Sequence, residues 1–342
     1  MEPPERLAEF EENRGKGWKE EYIAYRSHWS EWPKKQILSR YPLHVDIELS
    51  TVCNLNCPMC YTTTEEFKQR IPRKFMDINL FKKIIDEIGG RVPAIRLSLR
   101  GESTLHPKFV ECVRYAKEKG IHEVSFLTNL STMTVDFFIA VAEAGADWIT
   151  VSIDGLGAQY EAIRKPLKFS DTLDKIKSMH AIKQKRQWYR PVIKVQGIWP
   201  AIRENPTAFY NIFAPITDLV AFNPLIDYLD NDENIVYEPG FSCPQLYQRL
   251  VIGSDGNVMV CSNDEKGQCI VGNVTCDSIQ KIWSGGKMAS IRQLHLAGHF
   301  FEMELCRFCY LPRMTIDDEI VSINGRKLVI KNYVGRSQII GK

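Results

Sequence analysis

Residues 43–230 predict an α/β fold, a partial (β/α)6 TIM-like barrel, and residues 231–312 predict a small cysteine-rich unit appended to it. Three observations carry this reading. Six short strand-like runs alternate with amphipathic runs of helical length, the pattern of successive βαβ units on a parallel sheet. Six units fall short of the eight that close a full barrel. Beyond about Asp230 the texture changes: glycines punctuate short strands, and six of the ten cysteines lie there.

Composition narrows the class. The chain has 342 residues, 44% hydrophobic and 25% charged, which is globular and neither disordered nor fibrous. Forty-four basic against 42 acidic residues leave a formal charge of +2, too small to create a general field for nucleic acid. No apolar run approaches the roughly 18–20 residues that span a bilayer. The opening MEPPERLAEFEENRGKGWKEE has no apolar signal core. A soluble cytoplasmic protein with no nucleic-acid and no membrane partner is expected. In a reducing compartment ten cysteines point to metal ligation more than to disulfides.

Residues 1–42 form a polar lead-in carrying Trp18, Tyr22, Tyr25, Trp29 and Trp32. Their spacing suits short helices packed as a cover on a larger body, and Trp32-Pro33 predicts a break. Strands are expected at 44–49, 95–99, 124–128, 148–153, 192–198 and 219–223, and helices at 79–88, 109–119, 135–144, 171–183 and 206–214. In the cysteine-rich part, runs 249–252 and 257–261 flank Gly253-Ser254-Asp255-Gly256 as a hairpin, and 278–283 and 288–296 read as short helices. Residues 313–342 read as a tail closed by a hairpin around Asn324-Gly325.

The chemistry begins directly after the first strand, at Cys53-Asn54-Leu55-Asn56-Cys57-Pro58-Met59-Cys60. In a parallel barrel that position is the rim where active sites lie. Three thiolates can hold three corners of a four-iron cluster, and a closed [4Fe–4S] site needs four. One iron would stay open to a substrate or cofactor. Taken alone, a CxxxCxxC favours iron–sulfur, with a zinc ligand set as the alternative.

Further motifs follow in order, and together with the cysteine triplet they resemble the radical SAM superfamily. In that family S-adenosyl-L-methionine chelates the fourth iron, and one electron from the cluster cleaves its sulfonium to a 5′-deoxyadenosyl radical that takes hydrogen from substrate. Ser98-Leu99-Arg100-Gly101-Glu102-Ser103 looks like the family's GGE motif, with Arg100 in the first glycine position. The resemblance implies that Gly101 and Glu102 contact the methionyl amine. It implies that Asn129, Ser152 and Asp154, at the ends of strands three and four, hold the ribose and carboxylate. Arg164 matches an arginine that pairs with the methionyl carboxylate, a task suited to its planar fork. Met59 and Gln196-Gly197-Ile198 would lie near adenine.

The C-terminal part resembles the SPASM or twitch extension of such enzymes. Cys243 and Cys261 bracket Gly256, Gly272-Asn273-Val274 and Ile282-Trp283 follow, and Cys306-Arg307-Phe308-Cys309 closes the pattern. The resemblance implies that Cys243, Cys261, Cys306 and Cys309 hold one auxiliary [4Fe–4S] cluster, with a structural zinc as the alternative. The full SPASM pattern carries later cysteines, but Cys309 is the last here, so one auxiliary cluster is expected. Cys269 and Cys276 read as plain thiols and Cys112 as a packed helical residue.

Three functions follow from the resemblance. The first is radical oxidation or epimerisation of a small carbohydrate- or aminocyclitol-like molecule, driven by an external electron donor such as flavodoxin or ferredoxin. It is preferred because one auxiliary cluster suits twitch-type dehydrogenases and the 52 residues before Cys53 are short for a peptide-binding module. The second is peptide or protein maturation. The third, non-catalytic iron–sulfur binding, needs none of the cofactor contacts. Asp227 and Asp264 are the positional candidates for a substrate acid or base.

Overall fold

The computed structural model describes residues 1–224, 235–334 and 340. Asp227 and the expected boundary at 230/231 lie outside the described residues. The strands in chain order are β1 (His44–Ile47), β2 (Ala94–Arg96), β3 (Glu123–Thr128), β4 (Trp148–Ser152), β5 (Val192–Ile198), β6 (Leu219–Asn223), β7 (Arg249–Ile252), β8 (Asn257–Met259) and β9 (Ile270–Asn273). Among the described residues these nine form one open sheet in the order β6-β5-β4-β3-β2-β1-β7-β8-β9. The first six are parallel neighbours, the six units of the partial barrel.

The cysteine-rich part does not stand apart from this sheet. β7 pairs parallel with β1 along its full length, and β8 and β9 continue antiparallel beyond it. Without β7 the first strand would present a row of unpaired amides and carbonyls. The edge of the barrel is therefore completed by the segment that carries the second cysteine set.

Helices cover one face of the sheet. Asp77 caps the helix Ile78–Ile88 by accepting from the Asn79 amide at 2.8 Å, and Thr134 caps Val135–Glu143 by accepting from Phe137 at 3.1 Å. Val45, Ile47, Ile95, Val124, Phe126 and Val151 are fully buried against these helices. The residues between them point the other way, since side chains alternate along a strand. They are Asp46, Arg96 and Ser125, level with one another, then Thr150 and Lys194 one step further along the strands, and Gln196 beyond them. A TIM barrel fills its interior with branched aliphatic side chains. This one is lined with charges.

The lead-in closes the foot of the barrel with two helices, α1 (Pro4–Gly15) and α2 (Lys19–Lys35). Arg14 donates to both carboxylate oxygens of Glu123, at 2.9 and 3.0 Å, and Glu2 accepts from the Val220 amide at 2.6 Å. The helix does not break at Trp32-Pro33 but runs to Lys35. Proline removes the bond to the carbonyl four residues back. That carbonyl, on Trp29, accepts instead from Gln248 Nε2 at 2.7 Å, which joins the lead-in to the cysteine-rich part.

At the other end, β10 (Thr315–Ile323) and β11 (Arg326–Tyr333) pair antiparallel. Asn324 and Gly325 turn the chain with φ of 49° and 79°, the positive values a two-residue hairpin requires. Among the described residues no helix is long and apolar enough to cross a membrane.

Candidate active site

The cluster loop is shaped by the strand beside it. Gly101 has φ of 65°, and a Cβ there would stand 2.6 Å from the Ser50 carbonyl oxygen and 2.7 Å from that of Val52. Only glycine lets the two backbones approach so closely. Next to it the Glu102 amide donates to Val52 O at 2.8 Å. The Gly-Glu turn thus presses on the segment that leads into Cys53.

Glu102 is buried, and its carboxylate is held from two sides. Oε1 accepts from the Thr104 hydroxyl at 2.6 Å, and Oε2 accepts from the Asn129 amide at 2.7 Å. Burial pushes its carboxyl upward, and these hydrogen bonds act against the rise. Asn129 in turn donates from Nδ2 to Asn54 Oδ1 at 3.1 Å, tying the end of β3 to the cluster loop.

Cys53, Cys57 and Cys60 line one cavity of about 300 Å³ with Met59, Gly101, Glu102, Asn129, Ser152, Arg164 and Ile198. Every cofactor-binding candidate except Asp154 therefore faces the same space. Asp154 lies behind it. Its Oδ2 accepts from Arg164 at 2.5 and 2.7 Å, and its Oδ1 accepts from the Ile198 amide at 3.1 Å. The carboxylate aims the guanidinium into the cavity and joins the ends of β4 and β5.

Burial raises the thiols of Cys53 and Cys57, the latter to about 11, and the nearby Arg164 draws both down. Buried thiols of this kind lose their protons when they coordinate metal. The Leu55 amide donates to Cys53 Sγ at 3.5 Å. A sulfur that accepts from an amide and faces a guanidinium fits a thiolate ligand.

The second set is half-buried, as Cys53 and Cys60 are. Burial raises Cys243 to about 12 and lifts Cys261, Cys306 and Cys309, and the four are close enough to raise one another. Three N–H or ring groups approach the sulfurs: Asn263 Nδ2 and the Leu311 amide at Cys309, 3.3 and 3.4 Å, and His295 Nε2 at Cys306, 3.4 Å. Among the described residues no group of three or more His, Cys, Asp or Glu side chains is gathered tightly enough to hold one metal ion. A four-iron cluster takes one thiolate per iron and needs no such convergence. Both donor sets fit clusters.

Asp264 is buried beside the second cysteine set. Its oxygens accept from the Gln268 and Cys269 amides at 2.7 and 2.8 Å, so the carboxylate anchors its own loop. Its neighbour Glu265, which sequence reasoning passed over, is the perturbed group: burial pushes it up to about 8. Cys112 is buried in the main core as expected, Cys269 is partly buried and Cys276 is exposed.

The comparisons with known proteins agree with this geometry. The family model of the radical SAM superfamily matches residues 47–193, and that of the SPASM iron–sulfur cluster-binding domain matches 243–310. The chain belongs to the radical SAM superfamily. Its cofactors are therefore S-adenosylmethionine and a [4Fe–4S] cluster, with auxiliary iron–sulfur ligation in the SPASM domain. A tungsten-containing aldehyde ferredoxin oxidoreductase cofactor-modifying protein of Pyrococcus furiosus is 29% identical over 156 residues, 44% of this chain and 42% of that one. A probable GTP 3′,8-cyclase of Sulfurisphaera tokodaii is 32% identical over 133 residues, 38% and 39% of the two chains. This radical SAM chain thus spans less than half the length of those relatives.

Among solved structures, BtrN in complex with AdoMet and 2-DOIA has a TM-score of 0.56 at 18% identity, covering 80% of this chain and 94% of that one. Streptococcus suis SuiB bound to precursor peptide SuiA has a TM-score of 0.55 at 16% identity, covering 80% and 72%. At these identities the likeness is one of fold.

Proposed function

We propose that this radical SAM enzyme binds S-adenosylmethionine in the cavity of Cys53, Cys57 and Cys60 and oxidises or epimerises a small carbohydrate- or aminocyclitol-like molecule. The observation that carries the reading is the meeting of three thiols, a buried carboxylate and a largely enclosed guanidinium in one cavity at the strand ends. When bound, cluster and cofactor supply reductive cleavage of the sulfonium bond and, from it, hydrogen-atom abstraction.

The chain's own residues bind and orient. Cys53, Cys57 and Cys60 would hold three irons and leave one for the cofactor. The backbone-anchored Glu102 would accept from the methionyl ammonium, and Arg164, set by Asp154, would meet the methionyl carboxylate. Gly101 admits the backbone contact that fixes the loop, Ser152 and Asn129 offer polar groups at the strand ends, and Met59 and Ile198 offer the walls for adenine. Cys243, Cys261, Cys306 and Cys309 would hold one auxiliary cluster, suited to taking an electron from a substrate radical, and an external donor such as flavodoxin or ferredoxin would supply the first. The matched relatives' names speak of a cofactor and of GTP, which are small molecules, and this supports a small-molecule substrate over a peptide.

The test is product analysis by mass on anaerobically reconstituted protein with candidate cyclitols and sugars. A loss of two mass units marks dehydrogenation, and an unchanged mass with inverted stereochemistry marks epimerisation. A mass change confined to a peptide would replace this reading with the peptide-modifying one.

A further inference from the structure

Below the cofactor cavity lies a second space, about 440 Å³, inside the barrel foot. Its floor is Leu7, Phe10 and Arg14 of α1 with Tyr25 and Trp29 of α2, and its walls carry Arg96, Ser125, Thr150, Lys194, Gln196 and Arg249. Leu127 and Asn223 line both spaces, so the two adjoin.

The charges in this chamber do not balance. Arg14 is matched by Glu123, at 2.9 and 3.0 Å, and by Glu11 at 3.0 Å, which Arg26 also approaches at 3.8 Å. Arg96 and Arg249 share one carboxylate, Asp46, at 2.8 and 3.0 Å. Lys194 donates to Gln196 Oε1 at 2.6 Å and has no carboxylate partner among the described residues. A partly buried cation without a counter-charge is costly. Burial, with Arg96 and Arg14 nearby, pushes the Lys194 ammonium down to about 8. The register places Lys194 level with Thr150 and Leu127, Gln196 level with Ser152, and Ile198 level with Asn223. At about 3.3 Å per residue, Lys194 to Ile198 spans roughly 13 Å of strand.

We propose that this chamber recognises the substrate by an anionic group, a carboxylate or a phosphate, that pairs with Lys194 while the rest of the molecule extends past Leu127 and Asn223 toward the three thiols. The inference rests on the small-molecule reading above and adds its charge. Gln196 and Thr150 flank the ammonium and supply hydrogen bonds to the same group or to the first hydroxyl beyond it. Arg96 and Arg249 add to the positive field, and Asp46 holds both in place.

The experiment is calorimetric titration of the reconstituted holoenzyme with inorganic phosphate and with acetate, against chloride at constant ionic strength. One saturable site per chain is expected for at least one of the two oxyanions, and their ranking tells phosphate from carboxylate. Lys194→Gln should weaken that site about tenfold or more, the scale of one charge-assisted hydrogen bond, and Lys194→Arg should restore most of it. Iron content and thermal stability of each variant show that it is folded. Unchanged affinity in Lys194→Gln, or no saturable oxyanion site in the wild type, overturns the proposal. Formation of 5′-deoxyadenosine in the same preparations reports separately on the enzyme reading. Cleavage without oxyanion binding removes only the chamber's role, and Lys194-dependent binding without cleavage removes the reading beneath it.

Discussion

Arg100 donates from Nε and Nη2 to the two carboxylate oxygens of Glu48, at 2.5 and 2.6 Å, and both side chains are buried. The same carboxylate accepts from the Ser254 amide at 3.1 Å, and Arg100 Nη1 donates to the Glu265 carbonyl at 3.1 Å. The arginine that stands in a glycine position of the resembled motif therefore locks the cluster rim to the SPASM domain. Arg100→Met should lower stability by about 3–5 kcal/mol, because it leaves Glu48 buried and unpaired. Adding Glu48→Leu should recover much of that loss. Thermal unfolding measures both, and an unchanged midpoint in the single variant would refute the lock.

Arg164 depends on Asp154 for its aim. Asp154→Asn keeps the shape but leaves the guanidinium without its charge partner, and should weaken S-adenosylmethionine binding about tenfold. Arg164→Lys should do the same by losing the planar fork. Equilibrium dialysis on reconstituted protein reads both. Wild-type affinity in the lysine variant would show that the carboxylate is held elsewhere.

Gly101→Ala places a methyl group against backbone, not against a movable side chain, and does so at φ of 65°. The strain, roughly 1–3 kcal/mol, falls on the segment entering Cys53. The expected result is loss of the cluster signal in electron paramagnetic resonance at Cys53, Cys57 and Cys60, with the second cluster retained. Equal loss at both sites would mean general unfolding.

Lys194 carries a pH signature of its own. Its folded pKa, lowered to about 8 by burial, lies below the usual lysine value, so between about pH 8 and 10.5 the unfolded chain binds the extra proton. Stability contributed at this site is present at high pH and is lost as pH falls through 8. The charges that act on it most are Arg96 and Arg14, with the Met1 amino group nearby, and Glu11, Arg26, His44, Glu123 and Arg249 line the same chamber. Lys194→Met should therefore be more stable than wild type at pH 7, by on the order of 3 kcal/mol, and no more stable near pH 11. A variant less stable at pH 7 would contradict this.

Much of the barrel was legible because βαβ units leave a period in the chain. The helix at 109–119 and the strand at 192–198 matched the observed elements to within a residue, since helical spacing of Phe109, Cys112, Val113 and Ala116 and alternation along the strand mark them. The thiol sets and Glu102 were legible as motifs. The union of β7 with β1 was not, because strand pairing across some two hundred residues leaves no local mark. The chamber was hidden differently. Asp46, Arg96, Thr150, Lys194 and Gln196 alternate with aliphatic residues in plain view, but only the register shows that they face one space. Asp264 and Glu265 differ by one position, and which of them caps the loop is a matter of backbone geometry.

Cleavage of S-adenosylmethionine at the open corner of Cys53, Cys57 and Cys60 can be measured directly. The direct measurement is 5′-deoxyadenosine formed by anaerobically reconstituted protein with a chemical reductant, alongside iron content. The account predicts 5′-deoxyadenosine from the wild type, none from Cys57→Ala, and an iron content in Cys57→Ala that falls by about four per chain while the Cys243, Cys261, Cys306 and Cys309 site keeps its own. Wild-type protein loaded at both sites that forms no 5′-deoxyadenosine, or Cys57→Ala that still forms it, would contradict the account.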